Sequence, residues 1–381
     1  MRRSTERILT THAGSLARPD GLRALLTAKD EGQLYDARAL AVQTRSAVAA
    51  VVRQQVAVGL DVVNDGEQSK RNFTTYARER LGGVEERVLR PGERVLAQIY
   101  GRDAAEFPEY FAGRGNMAGR EAVCTGPLTY IGQRAVHADI ANFTAALAGV
   151  EVTETFLPAV APGTIEHWLR NERYGSDEAY LAAIAEAMKV EYDAIVQAGF
   201  LLQIDDPDLA DAWQIHPQMS VAEYQKFAAL RIEALNHALR DIAPERVRFH
   251  VCWGSYHGPH KYDIPLRELT DLILAVRAQG YSIEASNPRH DHEWRVWEDV
   301  KLPAGRILIP GVVGHASDFV EHPELVAERL VKYARVVGRE NVIAGTDCGL
   351  GPRVGHPRIA WAKFEALVEG ARLATKQLWG R

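Results

Sequence analysis

Short apolar, β-rich runs alternate along the chain with longer stretches in which apolar residues recur every three or four positions. The runs begin at Ile8 (ILTTHAGS), Leu60 (LDVVNDGE), Glu121 (EAVCTGP), Val152 (VTETFLPA), Phe200 (FLLQIDDP), Val247 (VRFHVCWG), Tyr281 (YSIEASNP), Arg306 (RILIPGVV) and Asn341 (NVIAGTDCG). Brief apolar segments that close in polar or glycine turns predict strands. Helical periodicity marks 39–58, 177–198, 221–239, 265–279 and 323–337 between them. Strands separated by helices imply parallel pairing through helical crossovers, and about eight such units close into an α/β fold, the (β/α)8 barrel of TIM type. Nine runs are one too many, and the run at Glu121 is the expected outsider. The stretch from about 84 to 120, with RPGERV and GRGNMAG, predicts an inserted hairpin and loop and no second hydrophobic core. Residues 1–381 are therefore expected to form one barrel domain.

Composition narrows the chemistry. With 46% hydrophobic residues among 381, the chain can bury a large core. Its formal charge of −5, from 45 basic and 50 acidic residues, offers no excess that would draw a nucleic acid or an anionic membrane, so small-molecule chemistry is expected. The opening MRRSTERILTTHAGS lacks the apolar run of a signal peptide, and no later stretch approaches a membrane span, which predicts a cytoplasmic protein. Three cysteines, Cys124, Cys252 and Cys348, are too few for a disulfide framework and are expected to be reduced.

Functional side chains of a barrel gather where strands run into their following loops. His250 and Cys252 stand two apart in one strand and so share a face, while Glu284 and Cys348 fall at the ends of later strands. Zinc accepts imidazole, thiolate and carboxylate ligands. Two thiolates and a carboxylate would leave such a site with net negative formal charge, a poor Lewis acid toward water that still binds sulfur and deprotonates a thiol. That balance favours holding a sulfur nucleophile over zinc-dependent hydrolysis. Spacing alone also fits His250 and Cys252 as buried strand residues and Glu284 as a loop charge. Cys124 reads as core packing.

The ordered set of residues resembles the catalytic domain of the cobalamin-independent methionine synthases and their shorter single-barrel relatives, including epoxyalkane:coenzyme M transferases. The likeness is dispersed but spans nearly the whole chain. In that family a His-x-Cys pair, a later Glu and the Cys of an Asp-Cys-Gly-Leu motif hold zinc. This implies zinc (Zn2+) on His250, Cys252, Glu284 and Cys348, the last within Asp347-Cys348-Gly349-Leu350. AGS at Ala13 to Ser15 and DGE at Asp65 to Glu67 resemble motifs that hold the amino-acid thiol, which implies Ser15 and Glu67 as substrate-binding residues. QIDDP resembles Gln-Ile-Asp-Glu-Pro and implies Asp205 on the substrate ammonium, although strand-end capping would also account for Asp205 and Asp206. His315, in PGVVGHASD, matches the catalytic histidine that gives a proton to the leaving group, and an unperturbed imidazole titrates near neutrality. Trp168, in GTIEHW, falls where the methionine synthases stack a folate ring; ordinary packing explains a tryptophan equally well.

The chain also departs from the family pattern. It has no room for the extra amino-terminal barrel of the long methionine synthases, which weakens the case for a polyglutamyl folate donor. WGSYHGPHKYD follows the His-x-Cys pair and NPRHDHEW follows Glu284, adding His257, His260, His290, His292 and Arg289. These could form a lid, a second acid/base set or a site for an anionic substrate tail. His290 and His292 also offer a rival His-x-His metal pair, without a strand to align it. Lys70, Arg71, Arg78 and Arg80 either meet a substrate carboxylate or sulfonate or form a solvated helix face. The resemblance implies alkyl transfer, chiefly of a methyl group, from a donor to a small thiol such as homocysteine. Epoxide opening by a coenzyme M-like thiol is the nearest alternative, and a non-catalytic metal- or ligand-binding barrel is one of another class. An oligomer is compatible with either.

Overall fold

The structure, a computed structural model, describes residues 1–90, 101–112, 120–351 and 353–380. Its strands among these are Leu9–Thr10 (β1), Val62–Val63 (β2), Leu81–Val88 (β3), Arg120–Tyr130 (β4), Glu154–Val160 (β5), Leu169–Asn171 (β6), Leu201–Asp205 (β7), Val247–Val251 (β8), Gly280–Glu284 (β9), Ile307–Val313 (β10) and Ile343–Thr346 (β11). Eight of them form one sheet in the order β1-β11-β10-β9-β8-β7-β5-β2, and its pairs are parallel. Helices that include Ala37–Val58, Asp177–Gln197, Val221–Ala238, Leu266–Ala275, Pro323–Val337 and Pro357–Trp379 follow the strands, as the alternation of apolar patterns predicts. The fold is the expected (β/α)8 barrel. The run at Glu121 is the outsider: β4 pairs antiparallel with β3 and parallel with β6 in a separate three-stranded sheet. Most of RPGERV and all of GRGNMAG lie outside the described residues, and the helices Gly101–Glu106 and Pro108–Phe111 fall between them.

β1 and β2, two residues each, are too short for a ladder to close the sheet by itself, so side chains complete the junction. Asp61 N–H donates to the Thr10 carbonyl at 3.1 Å, and its Oδ2 accepts the Thr10 N–H at 2.9 Å and the Thr10 hydroxyl at 3.1 Å. Thr11 Oγ1 donates to the Val62 carbonyl at 3.2 Å, and Arg7 Nη1 reaches Asp61 Oδ2 at 2.7 Å.

Inside the barrel, Leu9, Ile307, Ile309 and Ile343 form one apolar cluster and Val62, Phe156 and Leu201 another, with Met1 packed against both. Next along β8 comes Arg248, fully buried, which donates to Thr11 Oγ1 and the His12 carbonyl, each at 2.9 Å, and lies 4.1 Å over the Phe156 ring. The two-residue period then brings His250 and Cys252 to the same inward face. Among the described residues no helix is long and apolar enough to cross a membrane.

Removing the Asp61 carboxylate strips partners from two buried donors. Asp61→Ala should cost about 2–3 kcal/mol, read as a lower urea midpoint with an unchanged slope. An unmoved midpoint would show that the barrel closes without this residue.

Candidate metal centre

The donor atoms of His250, Cys252 and Cys348 all lie within 4.8 Å of one another. His250 sits on β8 between Asp205 of β7 and Ser282 of β9 in the strand register. Its Nδ1 lies 3.1 Å from Ser282 Oγ, which leaves a buried Nε2 without a hydrogen-bond partner. Such a partner on the second nitrogen is what orients a metal-ligating imidazole. Cys348 follows β11, and Asp347 fixes that turn by accepting Ala285 N–H at 2.8 Å, Ser286 N–H at 2.9 Å and the Ser286 hydroxyl at 2.5 Å. The Cys348 turn is thereby tied to the residues just after Glu284. A side chain at Gly311 would place its Cβ 2.4 Å from Asp347 Cα, so only glycine lets β10 run this close.

The electrostatics of the trio are those of a site short of positive charge. Its hydrogen bond with Cys252 holds the Cys348 thiol well below its ordinary range despite burial, with His250 and His315 adding to the effect. Cys252 is pushed well up by the same hydrogen bond and by burial. Burial disfavours a charged His250, but the adjacent Cys348 sulfur outweighs it and raises the imidazole. Glu284 is also buried, and burial, reinforced by Asp347 and Cys348, pushes its carboxyl well above the usual carboxylate range. Glu284 stands outside the tight trio: its Oε1 has no hydrogen-bond partner and lies 3.8 Å from His315 Nδ1. Buried polar atoms left unpaired are costly, and one nitrogen, two sulfurs and a nearby carboxylate match the donors that zinc takes. The residues present therefore fit a metal ion.

The other sequence-derived candidates divide. Ser15 packs its backbone against Gly349, where an added Cβ would come within 3.0 Å of its nitrogen, and its carbonyl accepts Gly351 N–H at 3.0 Å. Glu67 is buried in a left-handed conformation (φ 54°); burial raises its carboxyl against the pull of Lys70 and Arg18, and Cys348 and His250 act on it too. Asp205 accepts from Gln203 Nε2 at 2.7 Å, and burial pushes it to about 7, opposed by His250. Asp206 is engaged elsewhere, accepting the Thr164 hydroxyl at 2.8 Å. His315 is buried with neither ring nitrogen hydrogen-bonded. Burial pushes it down to about 4, so the near-neutral titration of an unperturbed imidazole does not describe it. Trp168 belongs to another neighbourhood, half-buried, donating to Asp208 Oδ2 at 3.3 Å and stacked on His167. His167 and Asp208 line a cavity of about 220 Å³ with Glu166, Asp206 and Arg231.

Two of the four added histidines, His257 and His292, are exposed, and two, His260 and His290, are buried. His290 lies between Asp263 Oδ2 (3.1 Å) and Glu293 Oε2 (2.8 Å) and stacks on Trp253 with centroids 4.2 Å apart. His260 Nδ1 lies 2.7 Å from Asp263 and its ring stacks on Tyr256. These contacts pin the loop after Cys252, whose Ser255 hydroxyl donates to Cys348 Sγ at 3.4 Å. With both His290 nitrogens engaged and His292 exposed, the rival His-x-His metal pair is not assembled. The basic run divides: Lys70 is buried on the Pro158 carbonyl and Arg80 sits between Asp139 and Glu191, whereas Arg71 and Arg78 are partly exposed and reach Asp30. Sequence reasoning missed Asp211, which is buried with Oδ1 unpartnered and pushed well above the carboxylate range by burial and by Asp208. Its only sequence signal is its place on the first helix after QIDDP, where a polar residue is unremarkable. Cys124 is core, as expected.

Residues 99–372 match the family model described as the cobalamin-independent synthase catalytic domain. The chain belongs to this family. Methionine synthase of Thermococcus kodakarensis is 25% identical over 373 residues, covering 97% of this chain and 94% of its own length. That of Sulfurisphaera tokodaii is 25% identical over 371 residues, with 97% and 93% covered. The B12-independent methionine synthase of Shewanella sp. W3-18-1, solved in complex with selenomethionine, shares the fold at a TM-score of 0.72 and 20% identity, covering 98% of this chain and 100% of that one. Family membership and the expectation of a thiol methyltransferase agree.

His290 gives a pH test of the pinned loop. Burial opposes its charge, but Asp263 and Glu293 raise it to about 9, so its stabilisation is complete below its unfolded value of about 6.5 and is lost as pH rises through about 9. His290→Asn should therefore lower stability at pH 6 by about 3 kcal/mol, a gap that closes by about pH 10. A gap constant across that range would contradict the charged clamp.

Proposed function

We propose that this chain is a zinc-dependent methyltransferase that methylates a small amino-acid thiol, homocysteine, to give methionine. The observation that carries the reading is the close trio of buried His250 and Cys252 with half-buried Cys348, with an unpartnered imidazole nitrogen and raised carboxyls beside it. The same three residues plus Glu284 would hold the ion. Zinc bound there would keep the substrate sulfur deprotonated at neutral pH.

The chain's own residues supply the rest. Half-buried Asp205 and buried Glu67 are acids electrostatically linked to Cys348, and a substrate ammonium would give each a counter-charge that offsets its desolvation. A sulfonated thiol would instead bring like charge toward them, which favours homocysteine over coenzyme M. Ser15, against Gly349, borders the amino-acid end of the site. His315 enters the reaction as neutral imidazole, because burial holds it near 4; its N–H can hydrogen-bond to the departing nitrogen or oxygen as the bond to carbon breaks, and that atom then takes its proton from water. Fixed strands that hold sulfur and methyl carbon in near-attack geometry remove much of the entropic barrier. Trp168, beside the cavity at His167 and Asp208, offers a flat surface for a donor ring. One barrel domain over 1–381, with an insertion at about 84–120, and a cytoplasmic setting that keeps thiols reduced complete the reading.

Zinc-loaded protein given homocysteine or coenzyme M, each with methyl-folate, methylcobalamin or a short epoxide, should form methionine with at least one methyl carrier and no epoxide adduct of coenzyme M, as read by mass. The reverse pattern would establish epoxide opening, and no product from any pair would leave a binding protein. Cys252→Ser and Cys348→Ser should each lose zinc and turnover together; full metal content in both variants would dismiss this ligand set. Asp205→Asn should raise KM for homocysteine about tenfold or more, and an unchanged KM would remove Asp205 from ammonium binding.

A further inference from the structure

His315 is buried without a hydrogen bond on either ring nitrogen, so its placement comes from the backbone that carries it. β10 ends at Val313, and the next amide, Gly314 N–H, donates to Glu321 Oε1 at 2.8 Å. Glu321 is held by Lys363 of the helix Pro357–Trp379, whose ammonium lies 3.2 and 3.0 Å from its two oxygens and also donates to the Phe319 carbonyl. The Lys363 side chain is 0% exposed and that of Glu321 10%. A second fastening joins the same turn to the segment before that helix, where Asp318 Oδ1 accepts Gly355 N–H at 2.7 Å. Gly314 is itself hemmed in, since a Cβ there would lie 3.3 Å from both Glu321 Oε1 and Ser286 Oγ.

A buried ammonium is expensive, and an apolar residue of similar length would fill this space at lower cost, so the charge calls for a reason beyond packing. Lys363 and Glu321 supply one by gripping the turn 314–321 at its first amide and at the Phe319 carbonyl. We propose that the Lys363–Glu321 pair is a positioning device for His315, fixing the Gly314 amide and with it the approach of the imidazole to Glu284 and the metal trio. This rests on the hydrogen-bond-donating role given to His315 above. Lys363 is a positioning residue and touches no reactant.

The test uses the zinc-loaded full chain with homocysteine and methyl-folate or methylcobalamin, whichever turns over, together with hydrogen exchange of the peptide 313–321, which needs no donor. Lys363→Met should lower kcat about tenfold or more, hold KM for homocysteine and zinc content within about twofold, and speed exchange at Gly314. Glu321→Gln, which keeps an acceptor for the amide, should lose less than Glu321→Ala. In a His315→Asn background, Lys363→Met should cost nothing further, because its effect passes through the imidazole. A full further loss in that background, unchanged exchange, or a raised KM with kcat intact would overturn the proposal. If Lys363→Met does not fold, Glu321→Ala carries the same expectations, and normal exchange and kcat in that variant would refute it. A slow His315→Asn beside a normal Lys363→Met would sink the brace alone, whereas a normal His315→Asn would sink the donor role and the brace together.

Discussion

Two thiols and an imidazole nitrogen without a hydrogen-bond partner, crowded within 4.8 Å with only Cys348 partly open to solvent, set the terms for the rest of the barrel mouth. Three carboxyls nearby, buried Glu284 and Glu67 and half-buried Asp205, are each pushed above the ordinary range chiefly by desolvation. Unpaired buried groups of this kind are costly, and the proposed metal and substrate would bring a dication to the sulfurs and an ammonium to the acids. On the proposed function, metal and substrate are coupled through the ionisation of the same few groups, an amino-acid thiol bringing the ammonium and the ion holding its sulfur.

The scaffold keeps this arrangement from relaxing. Each inner strand contributes at a fixed register: His250 of β8 lies between Asp205 and Ser282, and Asp347 ties the Cys348 turn to the chain beyond Glu284. Beneath them Arg248 spans from β8 to the chain just after β1, and Asp61 closes the barrel where β1 and β2 are too short to do so by backbone alone. Sites built on strands and braced by a second ring of hydrogen bonds hold geometry better than sites on free loops. The loop after Cys252 is brought to that standard by the buried pairing of His260 and His290 with Asp263.

Much of this was readable beforehand, for definite reasons. Parallel strands buried on both faces leave continuous apolar runs, and the helices between them leave a 3.6-residue stripe, so the barrel and its outsider at Glu121 could be seen in the chain. His250 and Cys252 share a face because strand side chains alternate, a rule that needs no tertiary information. What stayed hidden depends on how loops and neighbours fold. β3 and β6 carry too little apolar pattern to announce themselves, and β1 and β2 close through the side chain of Asp61. Of the basic run, Lys70 and Arg80 look solvated in sequence yet turn inward to Pro158, Asp139 and Glu191. Among the four added histidines, nothing local separates the exposed pair from the buried one. The depressed imidazole of His315 and the lone oxygen of Asp211 reflect burial, which distant residues decide.

The central claim is that a divalent ion on His250, Cys252, Cys348 and Glu284 takes up the sulfur of the incoming thiol. Zinc K-edge X-ray absorption of the loaded protein, recorded with and without homocysteine, tests it most directly. Two sulfur neighbours are expected at rest and a third once homocysteine is added. A sulfur shell that stays the same would contradict it.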